Sequence, residues 1–150
     1  ELLRARVIRR LRQVMNLGKR YDVKVLIENV GLRTKNNVLF DLPEYVALFD
    51  IFPQAGALLD TGHAHVNGWD IPAVVKALGE RLAACHVHDN DGSGDAHLPV
   101  GQGDIDWKAY FGAVKKYAPQ ATQVFEYCCG FNNTKDLEAH IAELKRNYKL

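Results

Sequence analysis

Apolar positions along the chain switch between two spacings. From Leu2 to Arg20 they recur at Leu3, Val7, Leu11, Val14 and Leu17, the spacing of a helix with one apolar face. Val23 to Ile27 is a short, mostly apolar run rich in β-branched residues, and it ends at Glu28. Asp41-Leu42-Pro43-Glu44 starts a second helix, with Asp as cap, Pro in the first turn and Glu three residues on; Pro53 closes it. The alternation then repeats. Ala57 to Leu59 is a strand ending at Asp60, and Asp70-Ile71-Pro72 caps a helix that stops at Gly79. Leu82 to Val87 is a third strand, running into His88-Asp89-Asn90 and a long polar loop. Asp106 caps a helix over Trp107 to Tyr117, Thr122 to Phe125 is a fourth strand ending at Glu126, and Thr134 is expected to cap a last amphipathic helix.

Strands separated by helices imply βαβ units and a parallel sheet. The strands are nearly all apolar, as befits a sheet covered on both faces. The reactive side chains gather at the C-terminal ends of the strands, where parallel α/β folds place their sites.

Composition narrows the functional classes. The 150 residues are 47% hydrophobic and 25% charged, ordinary for a globular domain and against disorder. With 19 basic and 18 acidic residues the formal net charge is +1, and nothing in that balance calls for nucleic acid or an anionic membrane. No apolar run approaches the ~20 residues that span a bilayer. The basic face of the first helix (Arg4, Arg6, Arg9, Arg10, Arg12) reads as solvated. Three cysteines, Cys85, Cys128 and Cys129, are an odd number, and with no export signal they read as reduced thiols in a cytoplasmic protein. The neighbouring Cys128 and Cys129 read as packing residues at a strand end.

Each strand closes on a side chain able to bind metal: Glu28, Asp60 with His63 three residues later, His86 with His88 two residues later, and Glu126. Any one of these has an ordinary reading as a loop charge or a satisfied polar group. Four in succession are harder to explain, because like charges gathered at one rim are costly without a compensating cation. Mixed carboxylates and imidazoles suit Mn²⁺, Mg²⁺, Co²⁺ or Zn²⁺ and need neither a thiolate nor an organic cofactor. Glu28 and Glu126 come from strands well apart, so they can flank a substrate carbon as acid and base. His63, His88 and His97 are then expected to hold substrate hydroxyls or a phosphate. His65 reads as a loop residue and His140 as structural.

The motifs Leu59-Asp60-Thr61-Gly62-His63, His86-Val87-His88-Asp89-Asn90-Asp91 and His97-Leu98-Pro99-Val100-Gly101-Gln102-Gly103-Asp104-Ile105-Asp106-Trp107 resemble those of the xylose-isomerase-like superfamily. That superfamily holds sugar and sugar-phosphate isomerases and epimerases, together with zinc-dependent apurinic endonucleases. The resemblance implies a (β/α) TIM-barrel fold and sets the chain against strands five to eight of eight, a single partial domain over residues 1–150. It implies Glu28, Asp60, His86 and Glu126 as metal ligands; Asp95 with His97 reads either as a further metal pair in the endonuclease manner or as a polar loop turn carrying a substrate-binding His. The implied activity is isomerisation or epimerisation of a small sugar through a metal-bound enediolate. Alternatives are an apurinic-endonuclease-like phosphodiesterase and a half-barrel inactive alone. Asp89, Asp91, Asp95 and Asp104 make the loops acidic and weigh against nucleic acid. The first residue is not Met and four strands leave open edges, so the expectation is a C-terminal half that joins a first half or a second copy.

Overall fold

A computed structural model describes residues 2–149. Six α-helices and four strands alternate: α1 Leu2–Arg20, β1 Leu26–Glu28, α2 Leu42–Ile51, β2 Gly56–Asp60, α3 Thr61–Val66, α4 Ile71–Leu78, β3 Leu82–Val87, α5 Trp107–Tyr117, β4 Thr122–Phe125 and α6 Thr134–Tyr148. The strands form one parallel sheet in the order β1-β2-β3-β4. A doubly wound sheet reverses its strand order at a switch point; sequential order is the winding of a (β/α) barrel. Among the described residues no helix is long and apolar enough to cross a membrane.

Local chemistry sets the helix starts. Asp41 and Glu44 form a reciprocal capping box at α2. Asp70 and Asp106 accept from Ala73 N and Ala109 N to cap α4 and α5. Asn133, not Thr134, caps α6: its backbone is extended and its side chain accepts from Asp136 N, which leaves Thr134 as the first helical residue. The core between helices and sheet is built from Tyr45, Phe49, Phe52, Leu59, Val74, Val75, Leu82, Val87, Tyr110 and Phe111. The Tyr45 hydroxyl lies 2.8 Å from Leu58 O and 3.1 Å from Ile27 O, bridging β2 and β1.

Four further expectations change. The face of α1 that packs is Ile8, Leu11, Met15 and Gly18, while Leu3, Val14 and Leu17 are exposed. The first strand begins at Leu26, with Val23 exposed ahead of it, because β2 starts only at Gly56, the partner of Leu26. His65 is helical, in α3. The strands are also not uniformly covered: β4, at the end of the sheet, exposes Thr122 and Val124.

One irregularity positions the site. Ala57 pairs with Leu82 but Leu58 pairs with Ala84, so Ala83 is passed over. Side chains alternate along a strand, and a one-residue shift moves a whole strand to the other face. The shift sets Asp60 directly opposite His86; an uninterrupted ladder would have put Cys85 there.

Candidate metal centre

Asp60 is the anchor. It ends β2 and caps α3, accepting from His63 N at 2.7 Å. Its backbone is held by the Asn29 side-chain amide, which accepts from Asp60 N (2.7 Å) and donates to Asp60 O (3.0 Å), tying the end of β1 to the end of β2. On the other side Thr61 Oγ1 lies 3.1 Å from the carbonyls of His86 and His88 and accepts from His88 N, extending the contact between β2 and β3 past the last ladder pair. Burial alone would raise the Asp60 pKa. The hydrogen bond from His88, the His88 and His63 imidazoles and the His63 N–H outweigh it, and the carboxyl is held below its usual range.

Around this anchor the strand ends converge. His86 Nδ1 stands 3.5 Å from Glu28 Oε1, 3.7 Å from Asp60 Oδ2 and 3.3 Å from Glu126 Oε2. The donor atoms of Glu28, Asp60 and His86 all lie within 4.8 Å of one another. Donors about 2.1 Å from a shared ion are separated by roughly 3.0–3.4 Å in octahedral to tetrahedral arrangements. The observed spacing and the hard oxygen-plus-imidazole donor set therefore fit one divalent cation. Glu28 and Glu126 keep partly exposed side chains at this rim, at 29% and 46%.

A second group lies beside the first. Asp95 Oδ2 is 3.3 Å from both His63 Nε2 and His97 Nε2. His97 adopts a left-handed backbone (φ 47°), with Nδ1 against Glu126 O at 3.0 Å. Burial pushes its pKa down, but that contact and the carboxylates of Asp95, Glu126 and Asp60 outweigh it and raise the value. Donor atoms of His88, His97 and Glu126 also lie within 4.8 Å of one another.

His63 and His97 are partly exposed, as a role at a substrate requires. His88 has a different setting from the one expected: it is wholly buried, stacked on His97 at 3.8 Å between ring centroids and facing Asp60. Asp89 is not a surface charge either. It is buried, accepting from Gly101 N (2.9 Å), Ile105 N (3.3 Å) and the Trp107 indole N–H (2.7 Å), and it anchors the loop into α5. Asp95 is likewise turned into the imidazoles, which leaves Asp91 and Asp104 as exposed acids of that loop. Trp107 packs beneath Asp89 rather than lining the rim. His140 pairs with the Tyr127 hydroxyl and Phe131, a structural role. Thr61 and Gly62 lie within a motif that assigned them no role, and Asn29 lies outside the motifs; a small polar residue beside a strand-end carboxylate is the signal available for Asn29 and Thr61.

Residues 1–147 match the family model described as xylose isomerase-like TIM barrel. The chain belongs to the xylose isomerase-like TIM barrel family. An uncharacterized protein of Methanocaldococcus jannaschii is 29% identical over 113 residues, covering 73% of this chain and 42% of its own length. One from Sinorhizobium fredii is 32% identical over 95 residues, covering 62% of this chain and 30% of its own. Among solved structures, a D-tagatose 3-epimerase-like protein superposes with a TM-score of 0.73 at 21% identity, over 94% of this chain and 52% of that one. A D-allulose 3-epimerase from Methylomonas sp. superposes with a TM-score of 0.78 at 18% identity, over 97% and 55%. At those identities the likeness is one of fold. The chain spans about half of these two structures and less than half of the two curated relatives. Its four βα units are thus a half-barrel's worth of the TIM-barrel fold.

Proposed function

We propose that this chain carries the cation site and the acid–base pair of a divalent-metal-dependent isomerase or epimerase of small sugars or sugar phosphates. The observation that supports it most is the ring of carboxylate oxygens from Glu28, Asp60 and Glu126 around His86 Nδ1, at 3.3–3.7 Å. Glu28, Asp60, His86 and Glu126 would hold the ion (Mn²⁺, Mg²⁺, Co²⁺ or Zn²⁺), which when bound supplies a Lewis acid that polarises a sugar carbonyl or hydroxyl. The structural neighbours, a D-tagatose 3-epimerase-like protein and a D-allulose 3-epimerase, are in keeping with such a substrate.

Asp60 is buried and engaged on several sides, so its part is to stay put. Glu28 and Glu126 reach the rim from the two end strands, and their exposed oxygens can meet a substrate carbon. One carboxylate removes the proton beside the carbonyl and the other returns it to the opposite face. Glu126 also meets His97, whose raised pKa favours a cationic ring able to donate to a hydroxyl or a phosphate oxygen. His63 stands on the Glu28 side, with Nδ1 3.9 Å from Glu28 Oε1, where its ring can contact a substrate hydroxyl.

The test is turnover of candidate ketoses in D₂O by the protein that carries this chain, supplied with each of the four cations. Deuterium at the carbon next to the carbonyl is expected; turnover without it would mean a hydride shift and remove the acid–base roles of Glu28 and Glu126. A second reading rests on Asp95 Oδ2 standing between two imidazole nitrogens at 3.3 Å. A further zinc at His63, Asp95 and His97 would suit a phosphodiesterase of the apurinic-endonuclease type. More than one tightly held zinc, with abasic DNA cleaved and no sugar turned over, would decide for it.

A further inference from the structure

Gly62 has no room for a side chain. A Cβ built there would stand 2.0 Å from Cε1, 2.5 Å from Nδ1 and 2.9 Å from Nε2 of His88. The backbone of α3 thus leaves space for that one ring. Nε2 of His88 is 3.1 Å from each Asp60 oxygen, so its N–H points into the fork of the carboxylate. At the other edge Nδ1 is 3.8 Å from Asp95 Oδ1, and neither atom has a hydrogen-bond partner. One face of the ring stacks on His97, and Thr61 Oγ1 holds the His88 backbone at both N and O. A side chain with no exposed surface cannot touch a substrate at the rim. It does touch the anchor of the cation site on one edge and face the second donor group on the other.

We propose that His88 is a positioning residue: it fixes the orientation in which Asp60 presents its carboxylate to the cation and spans from there to Asp95, so that the two donor groups are set by one buried ring. The proposal rests on the reading of Glu28, Asp60, His86 and Glu126 as a cation site. Residues that hydrogen-bond a metal ligand from behind typically change affinity by ~10–100-fold when removed. A packing role alone would depend on the volume of residue 88 and not on its N–H.

The experiment is a Co²⁺ titration followed by the visible absorption of the bound ion, which reports affinity and coordination geometry together, with circular dichroism and melting on the same samples. His88→Leu fills the space without a donor, whereas His88→Gln restores an N–H near the position of Nε2. Loss of affinity by about tenfold or more in His88→Leu, with a changed Co²⁺ spectrum and partial recovery in His88→Gln, is the expected result. The Cβ of Gly62→Ala meets the His88 ring before any atom of Glu28, Asp60, His86 or Glu126, so the substitution should displace the ring and weaken Co²⁺ binding. In a His88→Ala background its Cβ meets vacated space, so the same substitution should add nothing further. If His88→Leu leaves affinity and spectrum within twofold of the unsubstituted protein, or if Gly62→Ala costs as much with His88 absent as with it present, the proposal fails. Should His88→Leu not fold, the comparison of His88→Gln with the Gly62 pair still decides it. No Co²⁺ uptake by the unsubstituted protein would overturn the cation reading itself, and this proposal with it.

Discussion

Replacing Asp89 by Ala tests how the rim is held open. Its carboxylate lies in the interior and gathers three long-range donors: Trp107 Nε1 at 2.7 Å, Gly101 N at 2.9 Å and Ile105 N at 3.3 Å. Gly101 is exposed, so water takes over that N–H after substitution. The Trp107 indole, Ile105 N and Asn90 N, the last 3.0 Å from Asp89 Oδ1, are buried and would lose their acceptor. An unsatisfied buried donor costs ~1–3 kcal/mol, and the three together about 3–9 kcal/mol. Relief from burying a carboxylate offsets part of this, and roughly 3 kcal/mol is left as the expected loss. At ~2–4 °C per kcal/mol for a chain of this size, Tm falls by about 6–12 °C. The assay is urea and thermal unfolding read by tryptophan fluorescence, in which the native emission should also shift red as the indole gains water. In a Trp107→Phe background the cost of Asp89→Ala should shrink by ~1–2 kcal/mol. A loss under ~0.5 kcal/mol, or an equal loss in both backgrounds, would refute the assignment of Asp89 as the loop's acceptor.

Other outcomes follow from the same structure. Burial pushes the Cys85 thiol up to about 11 from 9.0, so the neutral thiol is the form the fold keeps. Below pH 9 both folded and unfolded chains hold that proton and stability is unaffected. Between pH 9 and about 11 the unfolded chain ionises first and stability falls, by up to roughly 2.7 kcal/mol for a two-unit shift. Cys85→Ala should flatten that part of a stability-versus-pH curve; an unchanged slope contradicts the assignment. At neutral pH a thiol reagent should modify exposed Cys128 and Cys129 but not Cys85 until the protein unfolds, and three fast thiols in the native state would be the contrary result. Tyr45→Phe removes the hydroxyl shared by Ile27 O and Leu58 O and should cost about 1 kcal/mol in denaturant titration, with no effect on Co²⁺ affinity. Glu126→Gln should lower turnover by at least ~10²-fold while the bound cation, assayed in the same sample, is retained in part; full activity with bound metal would exclude it as acid or base.

How much of this was legible in the sequence depended on how local its cause is. β3 and α5 could be bounded within the chain, because Leu82–Val87 is apolar except for His86 and Asp106 caps its helix from one turn away. The four strand-end groups could be named for the same reason. What could not be read depends on pairing. The skipped Ala83, which brings Asp60 opposite His86, is a property of two strands in register and has no signature within either. Short α3 carries Gly62 and two β-branched residues, Thr61 and Val66, with too few turns for a period, and Asp60 starts it. On α1 two apolar tracks compete, and only the neighbouring elements decide that Ile8, Leu11 and Met15 turn inward. Alternation put His86 and His88 on one side of a strand but carried no information about depth, so the buried role of His88 emerged only with Gly62 and Asp60 in place.

The sequential strand order has a consequence for synthesis. Each strand pairs with the one translated just before it, so the sheet can grow by addition as the nascent chain lengthens, with little search between distant segments. The proposed donors are translated in the same sequence: Glu28 first, Asp60 next, His86 third and Glu126 just after β4. A ribosome-stalled chain ending before Thr122 would therefore present three of the four proposed donors, and capture of a cation would mark the moment at which β4 docks.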